Sequence, residues 1–136
     1  MEHPKHHQLN FSLELTHIIE REVATVYFYK NIVVVEANEG VNISYKSAFS
    51  LLIRGLSILK NRPWVYISNR KNSYSVTPTD YKYLKRVPSL KAMAIVSNSQ
   101  TGKVNAKIES TFFDRPFQIF DSINDAAQWA LEILEN

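Results

Sequence analysis

Residues 90–98 (LKAMAIVSN) constrain the fold most, because they are apolar almost without interruption over the length of one β-strand. A half-exposed strand alternates apolar and polar residues, whereas this one offers no polar face. Such a run is typical of a central strand that is covered on both of its faces. We therefore expect a sheet with this strand near its middle.

The other segments alternate between strand and helix patterns around this strand. After a β-hairpin or meander at the N-terminus, we predict helix 45–60, strand 64–69, helix 77–87, strand 90–98, helix 102–112, strand 116–120 and a final helix from 123. This order predicts right-handed crossovers between parallel strands. The predicted class is α/β, a mixed β-sheet with antiparallel N-terminal strands followed by βαβα units, with the helices packed on the sheet.

The N-terminal residues fit more than one structure. With 136 residues the chain fits one domain, which we place at 11–136 after a flexible lead at 1–10. His3, His6 and His7 in the lead are close enough to bind a metal loosely, but no further ligand group joins them, which favours a disordered tail. Alternation at Phe11, Leu13 and Leu15 predicts a first strand; residues 13–22 also fit a short helix.

Two helices have ends and faces that can be predicted from single residues. Ser44 is a suitable N-cap for the helix that follows it, and Gly55 in its interior predicts close packing against the sheet. In the helix at 77–87, Thr77 or Thr79 is the expected cap. For the helix at 102–112, the inward-facing residues are predicted to be Val104, Ile108, Thr111 and Phe112.

The charge is strongly polarised along the chain. Residues 41–108 contain twelve basic residues and one acid, Asp80, so this segment carries +11 and the two ends together carry −8. Such a distribution favours an anionic partner or a self-complementary contact. Lysines that solvate several helix faces explain the same pattern, and the spread of the charges favours that explanation.

Composition limits where the chain works. It has no cysteine, which excludes disulfides and thiolate metal sites and is typical of a reducing, cytoplasmic location. Its apolar runs are far shorter than the roughly 20 residues that span a bilayer, so we expect no membrane insertion. The first residues lack an apolar core, so we expect no signal peptide.

Catalytic motifs are incomplete wherever they begin. Tyr81 and Lys85 have the Y-x-x-x-K spacing of short-chain dehydrogenases, but the three glycines of the chain, Gly40, Gly55 and Gly102, are too far apart to build G-x-G-x-x-G. Gly102 and Lys103 match the G-K of the phosphate-binding motif G-x-x-x-x-G-K-[ST]. Ser97 stands in place of its first glycine and Val104 in place of its hydroxyl residue, so the motif is absent. No serine lies in G-x-S-x-G. We predict a non-enzymatic protein with no catalytic residues, no cofactor and no metal.

Residues 64–84 form the most distinctive segment, a strand followed by a polar loop and a helix. Ligands and partners of open α/β sheets bind at such strand ends. The candidate contact surface is Arg70, Lys71, Tyr74, Thr77, Thr79 and Lys82. Alternating basic and aromatic residues here also suit nucleic acid, but no recognised module accompanies them, which makes nucleic acid the weaker alternative.

Three stretches, together with the order of elements, resemble the SpoIIAA-like (STAS) family of small bacterial domains. They are WVYISNRKNSYSVTPTDYKYL, LKAMAIVSN and PFQIFDSINDAAQWALEIL, and the resemblance covers residues 23–134. It implies the STAS fold and, in the antagonist branch, a phosphorylated serine in a D-S-[ST]-G motif. That motif is absent, and Ser73, Ser75, Thr77 and Thr79 do not match it, so the phosphoswitch is not carried over.

The resemblance and the residues lead to two hypotheses. The first is a regulatory module that binds a protein partner, or a second copy of itself, through residues 70–86. The alternative is a binding module for an anionic or lipid-like small molecule near Thr77 and Thr101, since SEC14-like relatives imply a lipid or small apolar ligand. RNA binding is a weaker third possibility and predicts steep salt dependence.

Overall fold

A computed structural model describes residues 13–71 and 75–135. The strands are β1 (His17–Glu20), β2 (Ala24–Tyr29), β3 (Ile32–Ala37), β4 (Asn42–Ile43), β5 (Trp64–Asn69), β6 (Ser75–Val76), β7 (Leu90–Val96) and β8 (Phe117–Phe120). The α-helices are α1 (Tyr45–Leu59), α2 (Tyr81–Leu84), α3 (Gln100–Ser110) and α4 (Ile123–Glu135). No helix in these two ranges has the length and apolar character needed to cross a bilayer.

Six of the strands form one mixed sheet in the order β1-β2-β3-β5-β7-β8. β1, β2 and β3 pair antiparallel, while β3, β5, β7 and β8 run parallel. Every residue of β7 except Lys91 is buried, as expected for a strand covered on both faces. The predicted class, a mixed α/β sheet with antiparallel N-terminal strands followed by βαβα units, is confirmed.

The helices divide unequally between the two faces of this sheet. α1, α2 and α3 cover one face, where Phe28, Trp64 and Met93 belong to the core. α4 covers the other face. Three alanines on α4 are almost fully buried and let this helix lie close to the strands: Ala126, Ala127 and Ala130. We call the side of α1, α2 and α3 the three-helix face.

The β2–β3 hairpin follows the sequence pattern closely. Tyr29 pairs with Ile32, so the reversal contains only Lys30 and Asn31, and Lys30 adopts a left-handed conformation with φ 56°. Two apolar runs joined by two residues specify this register because a shift by one residue would turn every side chain to the opposite face.

The first strand begins later than predicted. Phe11 lies outside the described residues, residues 13–16 have no regular structure, and β1 starts at His17; the helical alternative for 13–22 is also wrong. Leu13 and Leu15 do pack on the core of the α4 face. The alternation therefore indicated burial correctly, but ladder pairing with β2 starts only after Thr16, whose amide donates to the carbonyl of Phe28 at 2.7 Å.

The helix predicted at 77–87 is shorter in the structure. A 3₁₀ turn, Pro78–Asp80, precedes the four-residue α2, and Thr77 makes no capping hydrogen bond through its side chain. Arg115 ends the helical segment, because its guanidinium donates to the carbonyls of Lys85 at 2.6 Å and Val87 at 2.7 Å. Those carbonyls point at a distant arginine, a contact that local sequence does not reveal.

The predicted inward face of α3 is wrong. α3 begins at Gln100, two residues early, because Ser99 Oγ accepts the amide of Gly102 at 2.9 Å. A Cβ on Gly102 would lie 2.2 Å from Ser97 Oγ, so only glycine fits against this strand end. The buried residues of the helix are Ala106 and Glu109, while the residues predicted to face inward are exposed: Val104 (51%), Ile108 (54%), Phe112 (37%) and Thr111.

Candidate functional site

An apolar cavity of about 130 Å³ lies between α1 and the sheet. Its walls come from β2, β3 and β5, from the inner side of α1 and from α2, and they include Val26, Phe28, Val33, Leu52, Trp64 and Tyr66. An apolar cavity of about this size can stay free of water and accept a molecule such as benzene. The cavity is therefore a place where a small apolar ligand would gain contacts that water cannot make.

Residues on α1 explain why the space is left open. Gly55 faces Phe28, and a Cβ added there would lie 3.5 Å from the Phe28 ring, which is ordinary van der Waals contact. The glycine therefore does not relieve a clash, contrary to the close packing predicted from sequence. Its missing side chain instead contributes to the empty volume above Phe28.

The N-terminus of α1 is firmly fixed beside this cavity. Ser44 is the N-cap, as predicted, and its Oγ accepts the amide of Ser47 at 3.3 Å while Ser47 Oγ accepts the amide of Ser44 at 3.0 Å. This reciprocal pair is a capping box built from two serines. It holds the start of the helix at the carboxyl ends of the strands.

The short parallel pair β4–β6 closes the same end of the cavity. Ile43 and Val76, which are paired in this small sheet, both line the cavity. The side chains of Asn42 and Thr77 form a hydrogen bond of 3.3 Å across the pair. Thr77, Ser44 and Asp80 place polar groups along an otherwise apolar lining.

A buried ionic cluster adjoins the cavity through Tyr81, which lines it. Glu109 is only 4% exposed and accepts two hydrogen bonds from the Arg70 guanidinium, at 2.5 and 2.6 Å. The Tyr81 hydroxyl donates to the same carboxylate at 2.5 Å. Burial, and then the charge of Glu109 and the hydrogen bond to it, raise the pKa of Tyr81 far above its usual value. The cluster ties β5, α2 and α3 together.

A second polar group lies at the carboxyl end of β3 and β5. Asn69 donates to the Glu36 carboxylate at 2.7 Å, and Lys71 Nζ is 3.6 Å from the same side chain. Burial, followed by the charge of Glu36, raises the pKa of Tyr27. Burial is also the main reason that the pKa of Tyr29 rises to about 12.

These tyrosines predict a loss of stability at alkaline pH. Their folded pKa values lie above the unfolded value of 10.0, so the stabilisation is complete below pH 10.0 and is lost as pH rises through 10.0 toward about 12. We expect the urea midpoint to fall steadily above about pH 10. Tyr29→Phe should flatten that fall, and an equal slope in wild type and variant would contradict the assignment to Tyr29.

The structure describes five of the six residues of the predicted contact surface and places them in different surroundings. Arg70 is held by Glu109, and its side chain is 11% exposed, whereas Lys71 is 58% exposed beside Glu36. Thr77 lies at the cavity, and Thr79 is exposed in the 3₁₀ turn. Lys82 is exposed, with its ammonium 5.2 Å from the centre of the Tyr83 ring. Tyr74 lies outside the described residues, as do His3, His6 and His7.

Sequence reasoning missed Glu109 and the cavity. Glu109 is the only acid within α3, and its spacing from Ala106 places both on one helical face, a signal that was available. A cavity leaves no such signal because it is defined by atoms that are absent. Within 13–71 and 75–135, no three His, Cys, Asp or Glu residues are grouped as a metal site would require.

Comparisons with known proteins identify a structural likeness. No protein-family model matches the chain, and no curated protein matches it. Among solved structures it is similar to an uncharacterized protein of the DUF3478 family with a SpoIIAA-like fold from Shewanella loihica, at 14% identity and a TM-score of 0.49. The match covers 91% of this chain and 99% of that one. That fold is the one implied by the sequence resemblance, and a likeness of this size carries no further argument.

Proposed function

We propose that the protein is a non-catalytic binding module whose ligand is a small apolar or lipid-like molecule held between α1 and the sheet. The apolar cavity of about 130 Å³ between α1 and the sheet is the observation that supports this function. Protein interiors normally leave few voids larger than a water molecule. An apolar ligand that fills such a space gains the dispersion contacts that the lining side chains otherwise lack.

The size and lining of the cavity define the class of ligand. Drug-sized ligands occupy sites of roughly 300–1,000 Å³, so this cavity suits a single ring or the end of an alkyl chain. A polar head group would be placed near Ser44, Thr77 and Asp80, where the lining offers hydroxyl and carboxylate groups. The ligand is therefore amphipathic, with its apolar end inside.

Thermal shift and calorimetry with benzene, octanol and octanoate test this function. Wild type should be stabilised by at least one of these probes in a saturable manner. Ala48→Leu adds a larger side chain to the cavity lining and should abolish the response. Ser50→Leu adds the same side chain at an exposed position of α1 and should leave the response unchanged. Failure of all three probes to bind wild type would overturn the proposal.

The second candidate is a regulatory module that binds a protein through residues 70–86. Lys71, Lys82, Lys85 and Arg86 are all exposed and would suit an acidic partner or an acidic surface of a second copy. Sizing and affinity capture test this role, with Lys71→Ala and Lys82→Ala as variants. A strictly monomeric wild type whose captured proteins are the same as those of both variants would exclude it.

RNA binding is the weakest alternative, and the absence of a gel shift at low salt would remove it.

A further inference from the structure

All five large apolar side chains that are exposed in the described part of the chain lie on α1 or α3, or just after α3. Phe49 and Ile53 belong to α1, Val104 and Ile108 to α3, and Phe112 follows α3 by two residues; their exposure ranges from 37% to 54%. Both helices pack on the same face of the sheet. The exposed apolar residues are therefore confined to the outside of the three-helix face.

The charges on this face are mostly positive, although Lys103 forms an ion pair with the exposed Asp121 that precedes α4. α1, α2 and α3 contain Lys46, Arg54, Lys82, Lys103 and Lys107 and a single acid, Glu109. Glu109 is buried and paired with Arg70, so its charge does not reach the surface. Asp80, in the turn before α2, is partly buried, and the exposed residues Lys85 and Arg86 after α2 add two more cations.

The opposite side of the molecule is acidic. α4 contains Asp125, Glu132 and Glu135, all exposed, and has no lysine or arginine. The separation of charge seen along the sequence thus becomes a separation between the two faces of the sheet. A negatively charged surface would attract the three-helix face and repel α4, which fixes the orientation of the molecule.

We propose that the three-helix face docks on the surface of an anionic lipid bilayer. Apolar side chains interspersed with cations are the composition of interfacial membrane-binding helices, in which the apolar groups enter the acyl boundary and the cations meet anionic head groups. The exposed apolar residues are divided between two helices that each also carry two cations, so an extended, deformable anionic surface suits them. A compact protein hot spot would instead concentrate them in one place.

The position of Phe49 connects this surface to the cavity. Its side chain lines the cavity and is also 42% exposed, so it lies at the boundary between the cavity and the outside. A bilayer against α1 would place lipid next to a residue that also lines the cavity. The docking proposal itself stands on the outer side chains and does not depend on whether the cavity is occupied.

Vesicle flotation of the full chain tests the proposal. We expect binding to vesicles of phosphatidylcholine mixed with phosphatidylglycerol, weaker binding to phosphatidylcholine alone, and loss of binding as salt shortens the range of charge attraction. Ile53→Ser with Ile108→Ser should weaken binding roughly tenfold, because two exposed apolar groups no longer enter the interface. Lys46→Ala and Lys107→Ala should each weaken it about fivefold.

Matched controls separate this proposal from the others. Arg21→Ala removes the same charge from an exposed turn between β1 and β2 and should bind like wild type. Ala48→Leu, which fills the cavity, should also bind like wild type, so failure of the cavity function and failure of docking give different results. The proposal is overturned if wild type does not bind anionic vesicles, or if Arg21→Ala weakens binding as much as Lys107→Ala. It is also overturned if the double serine variant dissociates a dimer without weakening the binding to vesicles.

Discussion

Glu109→Gln is expected to lower the free energy of unfolding by about 3 kcal/mol. The substitution keeps the size of the side chain but removes its negative charge. Arg70, whose side chain is 11% exposed, would then lose the carboxylate with which it forms its two-bond ion pair. Removing one partner of a buried ion pair costs far more free energy of unfolding than the intact pair contributes, because the remaining charge has neither its hydration nor its partner.

Urea denaturation at neutral pH measures this loss. Glu39→Gln provides the control, since Glu39 is exposed in the turn after β3, and its effect should stay within about 0.5 kcal/mol. Replacing the whole cluster, as in Arg70→Met with Glu109→Leu and Tyr81→Phe, should restore much of the stability, because no charge remains to be desolvated and no buried hydroxyl is left without its acceptor. If Glu109→Gln behaved like the control, the cluster would not hold β5, α2 and α3 together.

The strand β5 was among the most predictable parts of the fold, for a physical reason. It has the predicted bounds, Trp64–Asn69, because a buried strand requires a continuous β-branched or aromatic run between turn residues. The start of α1 was equally clear, since Ser44 caps it through a purely local hydrogen bond. Local interactions and burial on both faces leave a pattern that a single sequence shows.

The orientation of α3 could not be predicted on the same basis. Val104, Ile108 and Phe112 have the spacing of a core-facing stripe, and nothing in that spacing says whether the core or another surface covers it. What decides the orientation is the close approach of Gly102 to Ser97 and the pairing of Glu109 with Arg70, which are both contacts between distant segments. The residues that misled the prediction are those on which the docking proposal depends.

The position of the candidate site in the chain was predictable, but its apolar character was not. Residues 64–84 were expected to carry it, and Trp64, Tyr66, Thr77 and Tyr81 do line the cavity. The sequence emphasised the polar loop and its cations, however, and Arg70 turned out to belong to a buried ion pair. A side chain that ends in a charge is assumed to be solvated unless its partner is known, and here the partner is 39 residues away.

Phe28→Ala is expected to destabilise the protein by about 4 kcal/mol and to enlarge the cavity at the same time. Phe28 is 1% exposed, and its ring separates the strand β2 from Gly55 on α1. Because Gly55 has no side chain, little can move in to replace the ring. The loss should therefore lie in the upper part of the range seen for buried phenylalanines, which is roughly 3–5 kcal/mol.

The same substitution on the surface supplies the comparison. Phe112→Ala removes an identical ring from an exposed position beyond α3, and we expect it to change the free energy of unfolding by less than about 1 kcal/mol. Benzene should restore part of the stability of Phe28→Ala in proportion to its concentration, and it should not stabilise Phe112→Ala more than wild type. Two results would mean that α1 moves onto the sheet and fills the cavity. One is a destabilisation of only about 1 kcal/mol in Phe28→Ala, and the other is the absence of any stabilisation of this variant by benzene. In that case the cavity above Phe28 exists only while α1 keeps its present position, and it could not serve as a stable ligand site.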